Sequence, residues 1–241
     1  MRFCEKRSSL EPGVTARRCN NFIFSSSACV YGESKEGILT EESPLSPINP
    51  YGKSKLMQEN ILKDVTFANK NFKVISLRYF NPAGAHPSGL IGDNPKGIPN
   101  NLFPILEQVI LGKRPKLSVY GKDWETPDGT PIRDYIHVMD LAYGHVASLN
   151  KIFELETGFH TYNLGIGKGH SVLEVISAYS KVIGRDIPYE FVDRRPGDAE
   201  KCVSNPSKAE RELNWKAEQT ISDMCRDSYN WIQNNPNGYE N

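Results

Sequence analysis

Short apolar segments of the kind that form buried strands alternate along this chain with segments that carry helix signals. Strands are predicted at about 21–25, 73–80, 117–120, 132–138, 161–164 and 188–192, and helices at about 50–65, 101–111, 139–154, 171–183, 206–214 and 220–234. Strands that alternate with helices are typical of parallel sheets, because each parallel crossover needs about a dozen residues, which a helix supplies. The order of the elements therefore predicts an α/β fold.

Composition and charge exclude several classes of protein. The 241 residues carry 29 Lys and Arg against 29 Asp and Glu, so no overall charge favours nucleic acid or an acidic membrane as a partner. No apolar run is long enough for a membrane span or a signal segment. Five scattered cysteines without a C-x-x-C pair predict a cytoplasmic protein. The five histidines include no i,i+4 pair, so no metal site is predicted.

The start of the chain differs in character from the rest. Residues 1–20 hold five Lys and Arg against two Asp and Glu and show little hydrophobic periodicity. We expect a basic leader that is poorly ordered there. An import signal is the weaker alternative, because acidic residues are present and an amphipathic stripe is not. The ordered domain is expected to begin at Asn21.

Several helix boundaries are marked by capping residues. Asn49 precedes a proline, a pair that is typical of an N-cap and the first helical position. Ser171 and Glu174 have the spacing of a capping box, and Gly184 predicts the end of the same helix. The segment 82–99 is rich in proline and glycine and predicts a long loop, of the kind that commonly carries function.

Tyr51 and Lys55 lie four residues apart at the start of a predicted helix, so their side chains share one helix face. An ammonium group near a phenol stabilises the phenolate, which makes a tyrosine usable as a base near neutral pH. Taken alone, the spacing is common at solvated helix starts, and that is the simpler interpretation. Ser27 ends the preceding strand, at the sheet edge where ligands bind in open α/β folds. This position supports a catalytic set of Ser27, Tyr51 and Lys55.

Longer motifs carry a family resemblance. Residues 24–32 (FSSSACVYG), 49–55 (NPYGKSK), 77–86 (LRYFNPAGAH), 97–102 (GIPNNL), 128–138 (DGTPIRDYIHV) and 194–198 (RRPGD) resemble the extended short-chain dehydrogenase/reductase family, and within it the UDP-hexose 4-epimerases. The resemblance covers about residues 21–241. It implies part of a doubly wound, Rossmann-like parallel sheet, formed by 21–80 with about 132–164. It also implies a smaller C-terminal α/β substrate domain, formed by 81–131 and 165–241.

The resemblance implies NAD-dependent epimerisation at C4 of UDP-hexoses, from UDP-galactose to UDP-glucose, in galactose metabolism. Tyr51 would be the base and acid for the sugar 4-hydroxyl, Lys55 would hold the nicotinamide ribose, and Ser27 would bond the reacting oxygen. Tyr79 would contact the nicotinamide. Hydride would pass from sugar C4 to NAD, and the 4-keto sugar would turn over and take it back on its other face.

A substrate shell is implied in the same way. Guanidinium groups suit phosphate oxygens, and a carboxylate suits the two hydroxyls of a ribose. The implied contacts are Asn81 and Asn100-Asn101-Leu102 near the phosphates and sugar, Ser118-Val119-Tyr120 along the uracil, Arg133 and Arg195 on the diphosphate, and Asp198 on the ribose. For both arginines, surface ion pairing with Asp134 or Asp193 is the alternative.

Cys202 follows Asp198 by four residues. The resembling enzymes place there a residue that walls the 2-position of the sugar. A small side chain at this position leaves room for an N-acetyl group. We therefore expect use of both UDP-glucose and UDP-N-acetylglucosamine epimers.

The glycine-rich motif that opens the family's dinucleotide-binding domain is missing from the residues before Asn21. We therefore expect an amino-terminal truncation that lacks the first half of that domain. Such a chain is expected to hold NAD weakly and to associate through exposed apolar surface and an unpaired strand edge. The segment 165–170 (GIGKGH) has histidine where a third glycine would stand, and we interpret it as a structural turn.

Two other functions stay open. A nucleotide-sugar 4,6-dehydratase shares the tyrosine and lysine pair, but it carries an acidic pair where Ala28 and Cys29 stand, and elimination of water needs that acid. A non-catalytic product that binds a UDP-sugar or a full-length subunit is favoured by the missing glycine motif. The resemblance also implies a homodimer that packs through the helix beginning at Tyr51.

Overall fold

The computed structural model describes residues 19–32 and 37–239. The basic leader expected at 1–20 lies outside this part of the chain, apart from its last two residues. The strands are β1 (Asn21–Ser27), β2 (Ile38–Leu39), β3 (Lys73–Tyr79), β4 (Asn81–Ala83), β5 (Leu117–Tyr120), β6 (Ile132–Arg133), β7 (Tyr135–His137), β8 (Gly158–Leu164), β9 (His170–Ser171), β10 (Tyr189–Val192) and β11 (Lys201–Ser204).

The α-helices are α1 (Pro50–Ala68), α2 (Leu102–Ile110), α3 (Val138–Lys151), α4 (Val172–Ile183), α5 (Ser207–Leu213) and α6 (Ile221–Asn234). A short 3-10 helix spans Ala28–Val30 directly after β1. Within the described residues, none of these helices combines the length and the apolar character that crossing a membrane requires.

A three-stranded parallel sheet with the order β1-β3-β8 organises the fold. Ser27 is paired with Tyr79, and Tyr79 with Leu164, so the carboxyl ends of all three strands lie at one edge. The chain crosses from β1 to β3 through α1. The parallel sheet with its crossover helix confirms the predicted α/β class.

Smaller sheets surround the main one. β4 pairs with β7 and β10 with β5, both in parallel, and a four-stranded sheet has the order β2-β11-β6-β9. The single strand predicted at 132–138 is wrong, because Asp134 separates two strands with different partners and α3 already begins at Val138. The short strands β2, β4, β9 and β11 were not predicted, since two to four residues carry too little pattern.

Two main clusters of buried apolar side chains form the core. One lies against the parallel sheet and includes Ile75, Leu77 and Leu164, together with Ala209 and Leu213 of α5. The other lies between α2, α4, α6 and β5 and consists mainly of the residues Phe103, Leu106, Val109, Leu117, Val175, Ile176, Tyr179, Met224 and Trp231. The division into two domains with the predicted boundaries stays a prediction.

The helix caps agree with the sequence. The Asn49 side chain accepts a hydrogen bond from the amide of Gly52 at 2.8 Å and caps α1. Ser171 and Glu174 form both bonds of a capping box at the start of α4, and Gly184 ends that helix in the left-handed conformation with φ +70°. These predictions are confirmed because capping depends on neighbours within one turn.

Candidate active site

Ser27 ends β1 and caps the 3-10 helix that follows. Its Oγ accepts a hydrogen bond from the amide of Cys29 at 3.1 Å. A serine hydroxyl that accepts in this way keeps its own proton free to donate. Ser27 is therefore able to donate a hydrogen bond to an oxygen placed at the carboxyl edge of the sheet.

The start of α1 approaches this edge closely because residue 52 is glycine. A Cβ atom at Gly52 would collide with the carbonyl oxygen of Cys29, so a larger residue would push the helix away. The close approach places Tyr51 and Lys55, one turn later, beside the end of β1. Tyr51 is 54% exposed, which leaves its phenol open to a ligand.

Lys55 links the helix to the strand. Its Nζ donates a hydrogen bond to the carbonyl oxygen of Ser25 at 2.9 Å and lies 5.8 Å from the centroid of the Tyr51 ring. The ammonium group also lies 5.2 Å from the Phe24 ring centroid. The structure thus brings the tyrosine, the lysine and the serine strand together as the motif requires.

Tyr79 lies at the same edge, opposite Ser27 in the pairing of β3 with β1. Its hydroxyl is hydrogen-bonded to Ser25 Oγ at 2.7 Å and to Nε2 of His145. Burial raises the pKa of Tyr79, the bond with Ser25 lowers it in part, and a negative charge on Tyr51 raises it further. The edge therefore holds two phenols in different surroundings.

Sequence reasoning missed a buried ionic network behind these residues. Glu59 lies two turns after Tyr51 on the same helix and is fully buried. It accepts hydrogen bonds from Ser26 Oγ at 2.6 Å and Ser76 Oγ at 3.0 Å, and forms an ion pair with Arg78. The spacing Tyr51, Lys55, Glu59 was the available signal, because all three residues lie on one face of α1.

Arg133, Arg195 and Asp198 form a second charged group. Nη2 of Arg195 lies 2.9 Å from Oδ1 of Asp198, and Nη2 of Arg133 lies 3.9 Å from the same oxygen. The Arg195 guanidinium is also 5.4 Å from the centroid of the Tyr120 ring. Pairing of the arginines with Asp134 or Asp193 is therefore wrong for the described residues.

Other members of the predicted substrate shell differ in how far they face solvent. Val119 is 1% exposed and packs in the helical core, so only its backbone could contact a ligand, whereas Ser118 and Tyr120 point to the other side of β5. Asn100 and Asn101 are exposed ahead of α2, and Leu102 packs partly against the core. Asn81 is half-buried, and its amide donates to the carbonyl of Asp134 at 2.9 Å.

Cys202 lies beside Arg133, because β11 pairs with β6 at that position. Its side chain packs partly against the cluster that includes Tyr31 and Phe80. Burial raises the pKa of the thiol to about 12, so Cys202 stays protonated at neutral pH. The thiol of Cys202 is therefore not available as a thiolate.

The glycine-rich segment 165–170 is a structural turn, as predicted. The amides of Ile166 and Gly167 donate to the carboxylate of Asp134 at 2.9 and 3.0 Å. A Cβ atom at Gly165 would collide with the hydroxyl of Ser204. These amides are occupied within the protein and form no cradle for a phosphate.

A separate cleft of about 450 Å³ lies between α3 and α5. Its lining residues include Tyr143, Asn150 and Trp215 and none of the candidate site residues. The candidate site lies instead at the open edge of the parallel sheet.

A parallel sheet that carries serine at its carboxyl edge, followed by a helix with tyrosine and lysine four residues apart, defines a short-chain dehydrogenase/reductase. A family model described as GDP-mannose 4,6 dehydratase matches residues 11–228. UDP-glucose 4-epimerase 2 of Arabidopsis thaliana is 56% identical over 221 residues, which cover 92% of this chain and 63% of that protein. The chain belongs to the UDP-glucose 4-epimerases of the extended short-chain dehydrogenase/reductase family.

Solved structures agree with this assignment. The UDP-glucose 4-epimerase from Bifidobacterium longum in complex with NAD+ and UDP matches with a TM-score of 0.88 at 55% identity, over 91% of this chain and 65% of that chain. The UDP-Glc/GlcNAc 4-epimerase from Campylobacter jejuni matches with a TM-score of 0.73 at 41% identity, over 89% and 65%. The chain thus spans less than two thirds of the length of these relatives.

Proposed function

We propose that this chain carries the catalytic and substrate-binding part of an NAD-dependent UDP-hexose 4-epimerase, which interconverts UDP-galactose and UDP-glucose. The observation that carries the proposal is the position of Lys55, between the Ser25 carbonyl and the Tyr51 ring. This geometry keeps an ammonium group next to a solvent-accessible phenol. A phenol in such surroundings is suited to general acid and base catalysis.

The residues of the chain divide the proton chemistry between them. Tyr51 takes the proton of the sugar 4-hydroxyl and returns it, while the positive charge of Lys55 stabilises the phenolate. Ser27 donates its free proton to the reacting oxygen. NAD, when bound, would accept the hydride from C4, and its return to the opposite face of the resulting 4-keto sugar would invert that carbon.

The described residues fit one end of NAD. Tyr51, Lys55 and Tyr79 lie together at the sheet edge and would hold the nicotinamide and its ribose. In the glycine-rich turn, the amides of Ile166 and Gly167 are bound to Asp134 and so are not free to hold the pyrophosphate. We therefore propose that the described residues contribute the nicotinamide side of the cofactor site.

The charged side chains near β6 support a substrate whose sugar is attached to a nucleoside diphosphate. Arg133 and Arg195 offer guanidinium groups that suit phosphate oxygens, and Asp198 offers a carboxylate for the ribose hydroxyls. The side chain of Arg195 is 49% exposed and keeps donors free for a ligand. Asn81, Asn100, Asn101 and Leu102 complete the sugar side of this proposal, and Ser118, Tyr120 and the backbone of Val119 the uracil side.

The small side chain of Cys202 supports use of N-acetylated substrates as well. Cys202 lies next to Arg133 and keeps its thiol protonated, so it adds little bulk and no charge to that part of the site. A relative at 41% identity is described as a UDP-Glc/GlcNAc 4-epimerase. We therefore propose that UDP-N-acetylgalactosamine is converted to UDP-N-acetylglucosamine by the same site.

The direct test is conversion of UDP-galactose to UDP-glucose by the purified chain with added NAD. Lys55→Ala should lower kcat by at least 100-fold, as removal of a group that tunes a general base commonly does (about 10² to 10⁴). Lys53→Ala is the matched control, because Lys53 is exposed on the same helix turn. Equal activity in both variants would count against the proposal.

A second candidate function is binding of a UDP-sugar without turnover. The occupied amides of Ile166 and Gly167 favour it, because this glycine-rich turn then offers no cradle for the pyrophosphate. Calorimetry with UDP and with NAD separates the two functions. A chain that binds UDP but not NAD would support binding of a UDP-sugar without turnover. A 4,6-dehydratase is disfavoured, since Ala28 and Cys29 provide no acid for the elimination of water.

We also propose that the chain associates with a second copy through α1. Met57, Ile61 and Phe67 are all more than 60% exposed on this helix, an apolar surface that association would bury. Sedimentation of the wild type and of Ile61→Lys tests this, with association expected only in the wild type. A full-length subunit would be the partner instead if only mixed samples associate.

The four cysteines among the described residues are free thiols, which supports the proposed cytoplasmic location.

A further inference from the structure

His145 lies behind the candidate active site, on α3, and the sequence motifs assign it no role. Its Nε2 is hydrogen-bonded to the hydroxyl of Tyr79, and the two rings lie 5.4 Å apart between centroids. Its Nδ1 lies 3.0 Å from the carbonyl oxygen of Leu141, one turn earlier on the same helix. The imidazole is therefore fixed at both nitrogens.

These contacts decide which atoms donate. A carbonyl oxygen only accepts, so Nδ1 of His145 carries the proton that faces Leu141. In a neutral imidazole Nε2 is then an acceptor, and the single hydroxyl proton of Tyr79 must point to it. The Tyr79 hydroxyl also lies 2.7 Å from Ser25 Oγ, where it can donate as well, so its proton has two acceptors within reach, and the shorter contact to Nε2 is the one that this tautomer of His145 requires. Tyr79 is thus bonded to both Ser25 and His145, and the protonated Nδ1 of His145 makes Nε2 an acceptor for it.

The two phenols at the sheet edge are held differently by this chain. Tyr51 lies next to the ammonium group of Lys55 and is open to solvent. Tyr79 is half-buried and its proton is held by His145. Burial, and a negative charge on Tyr51, both raise the pKa of Tyr79.

We propose that His145 is a positioning residue of the candidate active site, which holds Tyr79 as a hydrogen-bond donor and leaves Tyr51 as the phenol that exchanges a proton with the substrate. The proposal rests on the proposed epimerase function. Without His145, both Tyr51 and Tyr79 would be available to accept the proton of the sugar hydroxyl. His145 acts only through Tyr79, since its two ring nitrogens are already bonded.

Titration of Tyr79 tests this without cofactor or substrate. In a chain labelled with carbon-13 at tyrosine Cζ, Tyr79→Phe and Tyr51→Phe assign the two resonances. His145→Phe removes the acceptor that favours the neutral phenol, so Tyr79 should ionise about one pH unit lower than in the wild type. His145→Gln retains an acceptor and should stay near the wild type. His160→Phe is the control, because within the described part of the chain His160 contacts the Glu156 carbonyl and not Tyr79.

The direction of the shift separates positioning from packing. The phenyl ring of His145→Phe also desolvates Tyr79, which by itself raises the titration midpoint, so only the loss of the acceptor can lower it. An unchanged or higher midpoint in His145→Phe would therefore overturn the proposal. Should that variant fail to fold, nitrogen-15 spectra of His145 in the wild type and in Tyr79→Phe decide instead. The proposal predicts a proton on Nδ1 and a shift of Nε2 when the phenol is lost, and a proton on Nε2 would overturn it.

Turnover provides a second readout. In the UDP-galactose assay, His145→Phe should lower kcat about tenfold with little change in KM, and His145→Gln should restore most of it. A wild type without turnover would count against the proposed epimerase function alone, because the titration is measured on the chain without NAD. A normal kcat in His145→Phe would overturn the proposal.

Discussion

Glu59 and Arg78 form an ion pair of 2.7 Å between Oε2 and Nη2, and their side chains are 0% and 2% exposed. Burial alone would raise the pKa of Glu59, but the hydrogen bonds and charge of Arg78, with the hydroxyls of Ser26 and Ser76, bring it below its ordinary value. The pair joins α1 to β3, and the hydrogen bond from Ser26 to Glu59 joins the same helix to β1. It therefore sets the position of the helix that carries the candidate base.

Glu59→Met should destabilise the fold by about 3 to 5 kcal/mol, because it leaves the Arg78 guanidinium buried without a counter-charge. The double variant Glu59→Met/Arg78→Met should recover more than half of the loss, since no charge is left unpaired. Urea unfolding at pH 7 measures both. A double variant less stable than Glu59→Met would contradict this account.

The buried Glu107 should make the folding stability of the protein depend on pH. It is buried on α2 and bonded to Ser228, whose hydroxyl also accepts from Tyr179 at 2.8 Å. Burial raises its pKa from 4.5 to about 8. Between these values the folded protein holds a proton that the unfolded chain has released, so the contribution of Glu107 to stability decreases as pH rises through this window.

Glu107→Gln should remove that decrease, because an amide has no proton to lose in this range. The wild type should lose stability relative to the variant between pH 5 and pH 8, by roughly 4 kcal/mol at most. Chemical denaturation at the two pH values is the measurement. Glu210→Gln, on the exposed face of α5, serves as control, and an identical slope in wild type and Glu107→Gln would refute the prediction.

The buried carboxylate of Asp134 should stabilise the fold through the hydrogen bonds that it accepts. Its carboxylate accepts from the amides of Ile166, Gly167 and Ser204 and from the Ser204 hydroxyl. Asp134→Ala leaves three partly or fully buried amides without an acceptor and should cost about 3 kcal/mol or more. Asp134→Asn should cost less, because one oxygen remains. A loss below about 1 kcal/mol in the alanine variant, measured by unfolding, would be inconsistent with this role.

Cys202→Tyr should abolish turnover of UDP-N-acetylgalactosamine and leave that of UDP-galactose within a few-fold, because the larger ring fills the space proposed for the N-acetyl group. Initial rates with both substrates measure this. Cys202→Ser is the matched control, since it keeps the small size. Equal loss on both substrates would contradict the proposed specificity.

Features set by near neighbours in the chain were predictable from the sequence. The caps at Asn49 and Ser171 and the pair of Tyr51 with Lys55 all depend on contacts within one or two helical turns. The two-residue strand β2 exists only through its pairing with β11, about 165 residues later, and its own sequence carries no such signal.

Partners distant in sequence account for the parts of the candidate site that were missed. Glu59 meets Arg78 from another element, and His145 meets Tyr79 across 66 residues. Each histidine or glutamate alone looks like an ordinary helix residue. Its role becomes visible only when the sheet places the ends of β1 and β3 side by side.

We propose Tyr51 as the base of an NAD-dependent UDP-hexose 4-epimerase, and Tyr51→Phe tests this role most directly when it is compared with the wild type in the conversion of UDP-galactose to UDP-glucose with added NAD. Tyr143→Phe is the control, because its phenol is exposed on α3 away from the site. We predict turnover in the wild type and in Tyr143→Phe, and a loss of at least 100-fold in Tyr51→Phe, as for removal of a general base (about 10² to 10⁴). Turnover that survives in Tyr51→Phe, or a folded wild type without turnover, would contradict the claim.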